Sequence, residues 1–221
     1  MAMQLSPGRH GLSREAVAAS QRGRILEAMV DAVAKRGYPD TRVVDVIARA
    51  GVSRKTFYEL FEDKEGCFLA AHDDVSGRLF SASSQGFDSA ADQPWATRVR
   101  AGVAALLGFL AEDPRAARFV IVEVFAAGPK ALARRDAALR RFTHFIDAGR
   151  AESSRELPGI TATAIIGGVH ELLCTEIRQG ATEQLPDRLP EIVFWITLPF
   201  LGPAGAAEER NRAGGRIAER T

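Results

Sequence analysis

Two cysteines in 221 residues, Cys67 and Cys174, are too few and too far apart for a disulfide framework or a zinc knuckle, and the usage fits a reducing compartment. Long apolar runs are also missing. The longest, Ile192 to Leu201, is broken by Thr197 and Pro199, against the roughly 20 apolar residues of a membrane span. Met1 to Arg14 lacks the apolar core of a signal peptide. These absences predict a soluble, cytoplasmic chain with no membrane partner. Neither charge dominates: 29 Lys and Arg face 28 Asp and Glu, a formal net charge of +1. That total speaks neither for nor against nucleic acid, for which local charge is decisive.

Chemistry-bearing patterns are equally scarce. His10, His72, His144 and His170 are scattered, no serine sits in a nucleophile elbow, and there is no glycine-rich phosphate loop. The chain is expected to be no enzyme and to carry no cofactor. His170 and Cys174 lie four apart in a sequence resembling a zinc-protease motif, but no third ligand is evident, so the expectation is no metal and a core or pocket histidine.

What is present is helical. Alternating β-branched runs bounded by turn pairs are nearly absent, whereas apolar residues recur at helical spacing. With 46% hydrophobic and 26% charged residues the composition is globular. At ~150 residues per domain, one or two domains are expected. The pattern predicts an all-α fold of about nine helices.

Ile25, Leu26, Met29, Val30 and Val33 stripe a first helix, Ser20 to Arg36, stopped by Gly37 and Pro39. Ser13 can cap a shorter helix before it. Thr41 can cap a second helix ending before Gly51, Ser53 a third reaching Phe61, and Asp63 a fourth into the low 80s. Ser81 to Pro94 predicts a loop. Trp95 opens a further stripe, and Asp113-Pro114 stops one helix and starts another. Phe119 to Phe125 is apolar apart from Glu123, which predicts a helix buried all round. Arginine-rich 132–146, Pro158 to about Gly180 and Pro190 to about Leu201 complete the helices. The tail 203–221 shows no apolar stripe and predicts disorder.

The informative segment is Thr41 to Phe61, TRVVDVIARAGVSRKTFYELF. Two short amphipathic helices flank Ala50-Gly51-Val52, and Gly51 suits the left-handed backbone of a tight turn. Val43, Val46, Ile47, Val52, Phe57 and Phe61 can share one small core, the arrangement of a helix-turn-helix. Between Arg42 and Lys55, four cations stand against Asp45, a local charge of +3. The second helix opens with Ser53, Arg54, Lys55 and Thr56, at the end that enters a major groove.

The run DVIARAGVSRKTFYELFEDKE resembles the DNA-binding signature of the TetR/AcrR family of bacterial transcriptional regulators. Ala50-Gly51-Val52-Ser53, Thr56-Phe57-Tyr58, Phe61 and Lys64-Glu65 fall at the family's spacing. The sequence departs from the pattern at Ile47, where the family usually has alanine at the helix crossing, and at Leu60, often polar or aromatic. The resemblance implies a DNA-binding regulator, more specifically a ligand-responsive repressor, working as a homodimer on a palindromic double-stranded operator. Its implied DNA contacts are Thr41, Arg42, Ser53, Arg54, Lys55, Thr56, Tyr58 and Lys64, with Tyr58 and Lys64 holding phosphates. It divides the chain into a DNA-binding domain at 13–66 and a ligand-binding and dimerisation domain at 67–202.

In the larger domain the resemblance implies a pocket for a small hydrophobic effector. Trp95, Phe109, Phe119, Phe142 and Phe145 are candidate walls, with Glu123, His144 and His170 as polar contacts. A carboxylate inside FVIVEVF is costly unless paired; pairing with an arginine of the Arg134–Arg141 cluster, a ligand role, and exposure at a frayed or bent helix are all open. For the dimer, Ile165, Ile166, Val169, Leu172, Leu173, Ile177, Ile192, Val193, Trp195, Ile196 and Phe200 form more apolar stripe than one bundle needs, and a two-fold partner would cover the surplus. The alternative from another class is an all-α ligand-binding or interaction protein that does not bind DNA specifically.

Overall fold

The computed structural model describes residues 14–218, so Ser13 lies outside the described residues. Among them are nine α-helices and no strand. The first, α1 (Arg14–Arg36), begins six residues before the expected start, because the alanine-rich stretch ahead of the apolar stripe is itself a good helix former. Gly37 ends it at φ 80°, its N–H bonded to the Val33 carbonyl at 2.8 Å. Two short helices follow, α2 (Val43–Ala50) and α3 (Arg54–Leu60). Then α4 (Lys64–Asp88) runs as one helix out of the small N-terminal cluster and into the larger domain. The expected loop from Ser81 is therefore helical as far as Asp88. Ser83 faces close helix packing, its hydroxyl donating to the Gly102 carbonyl at 3.1 Å. That carbonyl belongs to α5 (Trp95–Glu112), and a Cβ on Gly86 would stand only 2.7 Å from Ala101 O.

After α5, Asp113 accepts from the N–H groups of Arg115 and Ala116 and caps the single turn α6 (Pro114–Ala117). The segment expected to be one helix buried all round is instead a π-helical turn, Arg118–Val122, followed by a 3₁₀ turn, Glu123–Ala126. Phe119, Val120, Ile121 and Val124 point into the core, while Phe125 is exposed. The bundle continues with α7 (Pro129–Asp147), α8 (Thr161–Arg178) and α9 (Leu189–Ala218), the last kinked at Gly202, φ 73°.

The tail expected to be disordered is thus helical through Ala218. Ala206 and Ala213 are buried, and Glu209 forms a buried ion pair with Arg100 of α5 at 2.6 Å. Small residues allow that close approach without a conspicuous apolar stripe. By length and composition one described stretch, Thr182–Gly215, could cross a membrane, contrary to the sequence reading. In this fold Ile192, Val193, Ile196, Thr197 and Phe200 of that stretch lie in the protein core.

Candidate nucleic-acid interface

The α2–α3 unit is held by local chemistry. Asp45 reaches back to accept the Arg42 N–H at 3.0 Å, so Arg42, not Thr41, precedes the first turn of α2. That bond holds the Asp45 carboxyl below its usual range. Gly51 turns the chain at φ 62°, with the Val52 N–H on the Ile47 carbonyl at 3.2 Å. Ser53 then caps α3, its Oγ accepting the Thr56 N–H at 3.0 Å. Val46 and Phe57 are fully buried between the two helices and α1.

This leaves Arg54, Lys55 and Tyr58 exposed on α3, with Arg42 exposed at the start of α2. The Arg54 guanidinium lies 5.6 Å from the centre of the Tyr58 ring, and Lys55 pairs with Glu59 at 3.8 Å. Glu59 was not anticipated from the sequence, although its i,i+4 relation to Lys55 could have exposed it. Thr56 is half-buried and hydrogen-bonds Ser53 through its hydroxyl.

Two expected DNA contacts sit elsewhere. Thr41 is buried; its hydroxyl donates to the Gly37 carbonyl at 2.8 Å, closing the α1–α2 corner. Lys64 turns inward as well. Its ammonium donates to the Tyr38 and Thr41 carbonyls, each at 3.0 Å, and lies 4.1 Å from the centre of the Tyr38 ring. Burial is the main reason the Tyr38 phenol is pushed above its usual pKa. Lys64 therefore braces this corner.

Behind the unit lie contacts that the sequence did not disclose. Arg24 of α1 donates to the Ala50 carbonyl at 3.1 Å, and Asp31 of α1 pairs with both Arg49 of α2 and Arg115 of α6. Glu123 is buried, but its partners are not in the α7 arginine cluster. It accepts the Tyr38 N–H at 3.2 Å and pairs with Arg118 at 3.0 Å.

In the larger domain, a small chamber of about 50 Å³ lies among α4, α5, α7, α8 and α9. Phe142 and Phe145 line it, together with Val103, Leu106, Val169 and Ile196. Other expected wall residues do not. Trp95 is packed on Phe200 and over Gly149, donating its indole N–H to the Phe145 carbonyl at 2.7 Å. Phe119 is core against Phe68, and Phe109 lies beneath Arg78. His144 is exposed, its Nδ1 2.6 Å from the Arg141 carbonyl. His170 is buried against Phe125 with no partner for Nε2, and burial lowers its pKa. Among the described residues no group of three His, Cys, Asp or Glu could hold a metal.

The expected dimer face also needs redrawing. Leu173, Ile177, Ile192, Val193, Ile196 and Phe200 are all buried within the single chain, and Ile166 borders the chamber. What remains open is a shallow apolar groove of about 490 Å³ between α8 and α9, lined by Ile165, Val169, Leu172, Trp195, Leu198 and Pro199. Trp195, alone of the final-helix residues expected at the interface, is 62% exposed there.

A sequence profile described as bacterial regulatory proteins, tetR family, matches residues 25–71. No curated protein matches the chain in sequence. Solved structures resemble it over most of its length. The fatty acid degradation regulator FadR from Bacillus halodurans superposes with a TM-score of 0.71 at 18% identity, over 80% of this chain and 94% of that one. The transcriptional regulator FadR from Bacillus subtilis, in complex with stearoyl-CoA, gives 0.70 at 17%, over 81% and 98%. A TetR family transcription regulator from Marinobacter aquaeolei VT8 gives 0.63 at 22%, over 91% and 97%. These likenesses establish a shared fold.

Proposed function

We propose, from the match of residues 25–71 to the profile of bacterial regulatory proteins, tetR family, that the chain is a ligand-responsive transcriptional repressor. It acts as a homodimer on a palindromic operator. One observation carries the reading: α3 is capped at Ser53 and anchored by buried Phe57, and it turns Arg54, Lys55 and Tyr58 outward together. Arginine and lysine at the start of such a helix reach guanine edges or phosphates, and the tyrosine hydroxyl reaches a phosphate. Arg42 adds a cation at the adjoining helix start. Helix α3 has only seven residues, so one copy reads a short half-site. Two copies a DNA turn apart give the length that specificity needs.

The α8–α9 groove is the surface we assign to the second copy, because it is apolar, shallow and carries an exposed tryptophan. The apolar chamber is the effector site, and its aromatic and aliphatic wall suits a hydrophobic molecule. One protein of this fold, FadR of Bacillus subtilis, has been solved with stearoyl-CoA.

The test is selection of bound duplexes from a random pool, followed by titration of the winner at several salt concentrations. A palindromic winner whose affinity falls steeply with salt is the expected result. No enrichment at low salt would leave the alternative, an all-α ligand-binding protein without specific DNA binding.

A further inference from the structure

Outside the chamber, between α7 and α8, lies a groove of about 180 Å³. Ile166 borders both the groove and the chamber, so its side chain stands between them. The two compartments differ in chemistry. The chamber is apolar, and the one hydroxyl on its wall, that of Ser83, already donates to Gly102. The groove is bordered by Asp136, Arg140, Thr143 and Thr163 as well as Leu139 and Ile166.

The arginines of α7 are not equivalent. Arg134 pairs with Asp73 and Arg135 with Asp136. Arg141 lies over the Phe80 ring, 3.9 Å from its centre. Arg140 borders the groove and makes no ion pair among the described residues. The carboxylate nearest in the groove, Asp136, is engaged by Arg135. An arginine without an ion pair among the described residues, separated from an apolar chamber by Ile166, suits a planar or tetrahedral anion.

We propose that the effector is an amphipathic anion. Its apolar chain enters the chamber past Ile166, and its anionic head stays in the groove on Arg140. The proposal rests on the chamber being the effector site and adds the class of molecule it takes. At about 50 Å³ the chamber has little more room than one or two water molecules. A chain of several carbons therefore displaces Ile166 and Phe142, which separates α7 from α8.

Calorimetric titration of the full-length protein with decanoate and with decanol, both below micelle-forming concentrations, tests this. Wild type should bind decanoate about tenfold or more tightly than decanol, the gain from one charge-assisted contact. Arg140→Ala and Arg140→Glu should lose that preference while keeping decanol affinity, and Ile166→Trp should weaken both. Because Arg140 is exposed, its variants should melt with wild type. Equal wild-type affinity for the two probes overturns the anionic assignment but leaves the chamber as effector site. A preference that survives in both Arg140 variants also overturns it. If neither probe binds, the proposal fails, and the DNA titration of the same preparation shows separately whether the regulator reading survives.

Discussion

The Glu123 carboxylate accepts the Tyr38 N–H at 3.2 Å, joining a π/3₁₀ segment of the larger domain to the corner that carries the helix-turn-helix. The Tyr38 carbonyl, on the other side of the same residue, accepts from Lys64. A Cβ at Gly37 would stand 3.5 Å from the same carboxylate, in a backbone conformation, φ 80°, that disfavours side chains. A carboxylate 85 residues away in sequence thus ties the larger domain to this corner.

Removing that carboxylate should loosen the junction. Glu123→Ala leaves the Tyr38 N–H without its acceptor and should cost about 1–3 kcal/mol of stability. Glu123→Gln keeps an acceptor, loses only the ion pair with half-exposed Arg118, and should recover most of the loss. Denaturant titration of the two variants decides; equal destabilisation by both would make the ion pair the dominant contact.

Lys64 and Arg42 should separate on DNA. Lys64→Ala removes two charge-assisted bonds to carbonyls and should lower stability by about 1–3 kcal/mol, with the salt slope of DNA binding unchanged. Arg42→Ala should leave stability nearly intact and reduce that slope by about one. Were the slope to drop with Lys64→Ala at unchanged stability, Lys64 would be a phosphate contact after all.

Glu59 places a negative charge on the reading helix and pairs with Lys55 across 3.8 Å. Glu59→Gln frees Lys55 and removes repulsion from phosphates. Exposed pairs of this kind are worth about 0.2–1 kcal/mol, so affinity for duplexes of any sequence should rise by up to about fivefold at low salt. If binding weakens instead, and only on the selected operator, Glu59 accepts from a base.

Two buried histidines make stability depend on pH. His72 and His170 have pKa values lowered chiefly by burial, with Arg134 and Arg135 respectively adding to the effect. Neither ring nitrogen of His72, nor Nε2 of His170, has a partner. In the unfolded chain a histidine takes up its proton near pH 6.5. Below that pH the unfolded state binds more protons than the native state, so stability present above pH 6.5 declines as pH falls toward the native pKa values. Denaturant midpoints from pH 7.5 to 5 should fall, and less so in His72→Phe; a flat profile would contradict the assignment.

At the α8–α9 groove, Trp195→Arg should yield a folded monomer in sedimentation at micromolar concentration, because the indole is exposed. Ile196→Arg, one residue on, should unfold the chain, since Ile196 is 2% exposed in the core. A Trp195→Arg dimer would move the interface elsewhere.

The helix-turn-helix was legible because its determinants are local. Gly51 at the turn, Ser53 and Asp63 as caps, and the Val46–Phe57 core lie within about twenty residues of one another, and the side chains of α3 that face outward follow from helical spacing. The all-α class followed from the same periodicity. Non-local geometry settled the rest. An apolar stripe shows that a face is buried but not what covers it, so Ile192, Val193, Trp195 and Ile196 looked like one interface until the bundle enclosed all of them but Trp195. Lys64 fits the family's motif, yet its ammonium meets carbonyls 23 and 26 residues away. The stretch of α9 after Gly202 has almost no hydrophobic signature, and only the folded chain brings Glu209 to Arg100, 109 residues distant, where a buried carboxylate finds its cation. Sequence determined the all-α class and the local helix-turn-helix; tertiary structure decided the partner of each buried charge, because desolvation makes pairing obligatory without specifying where along the chain the partner lies.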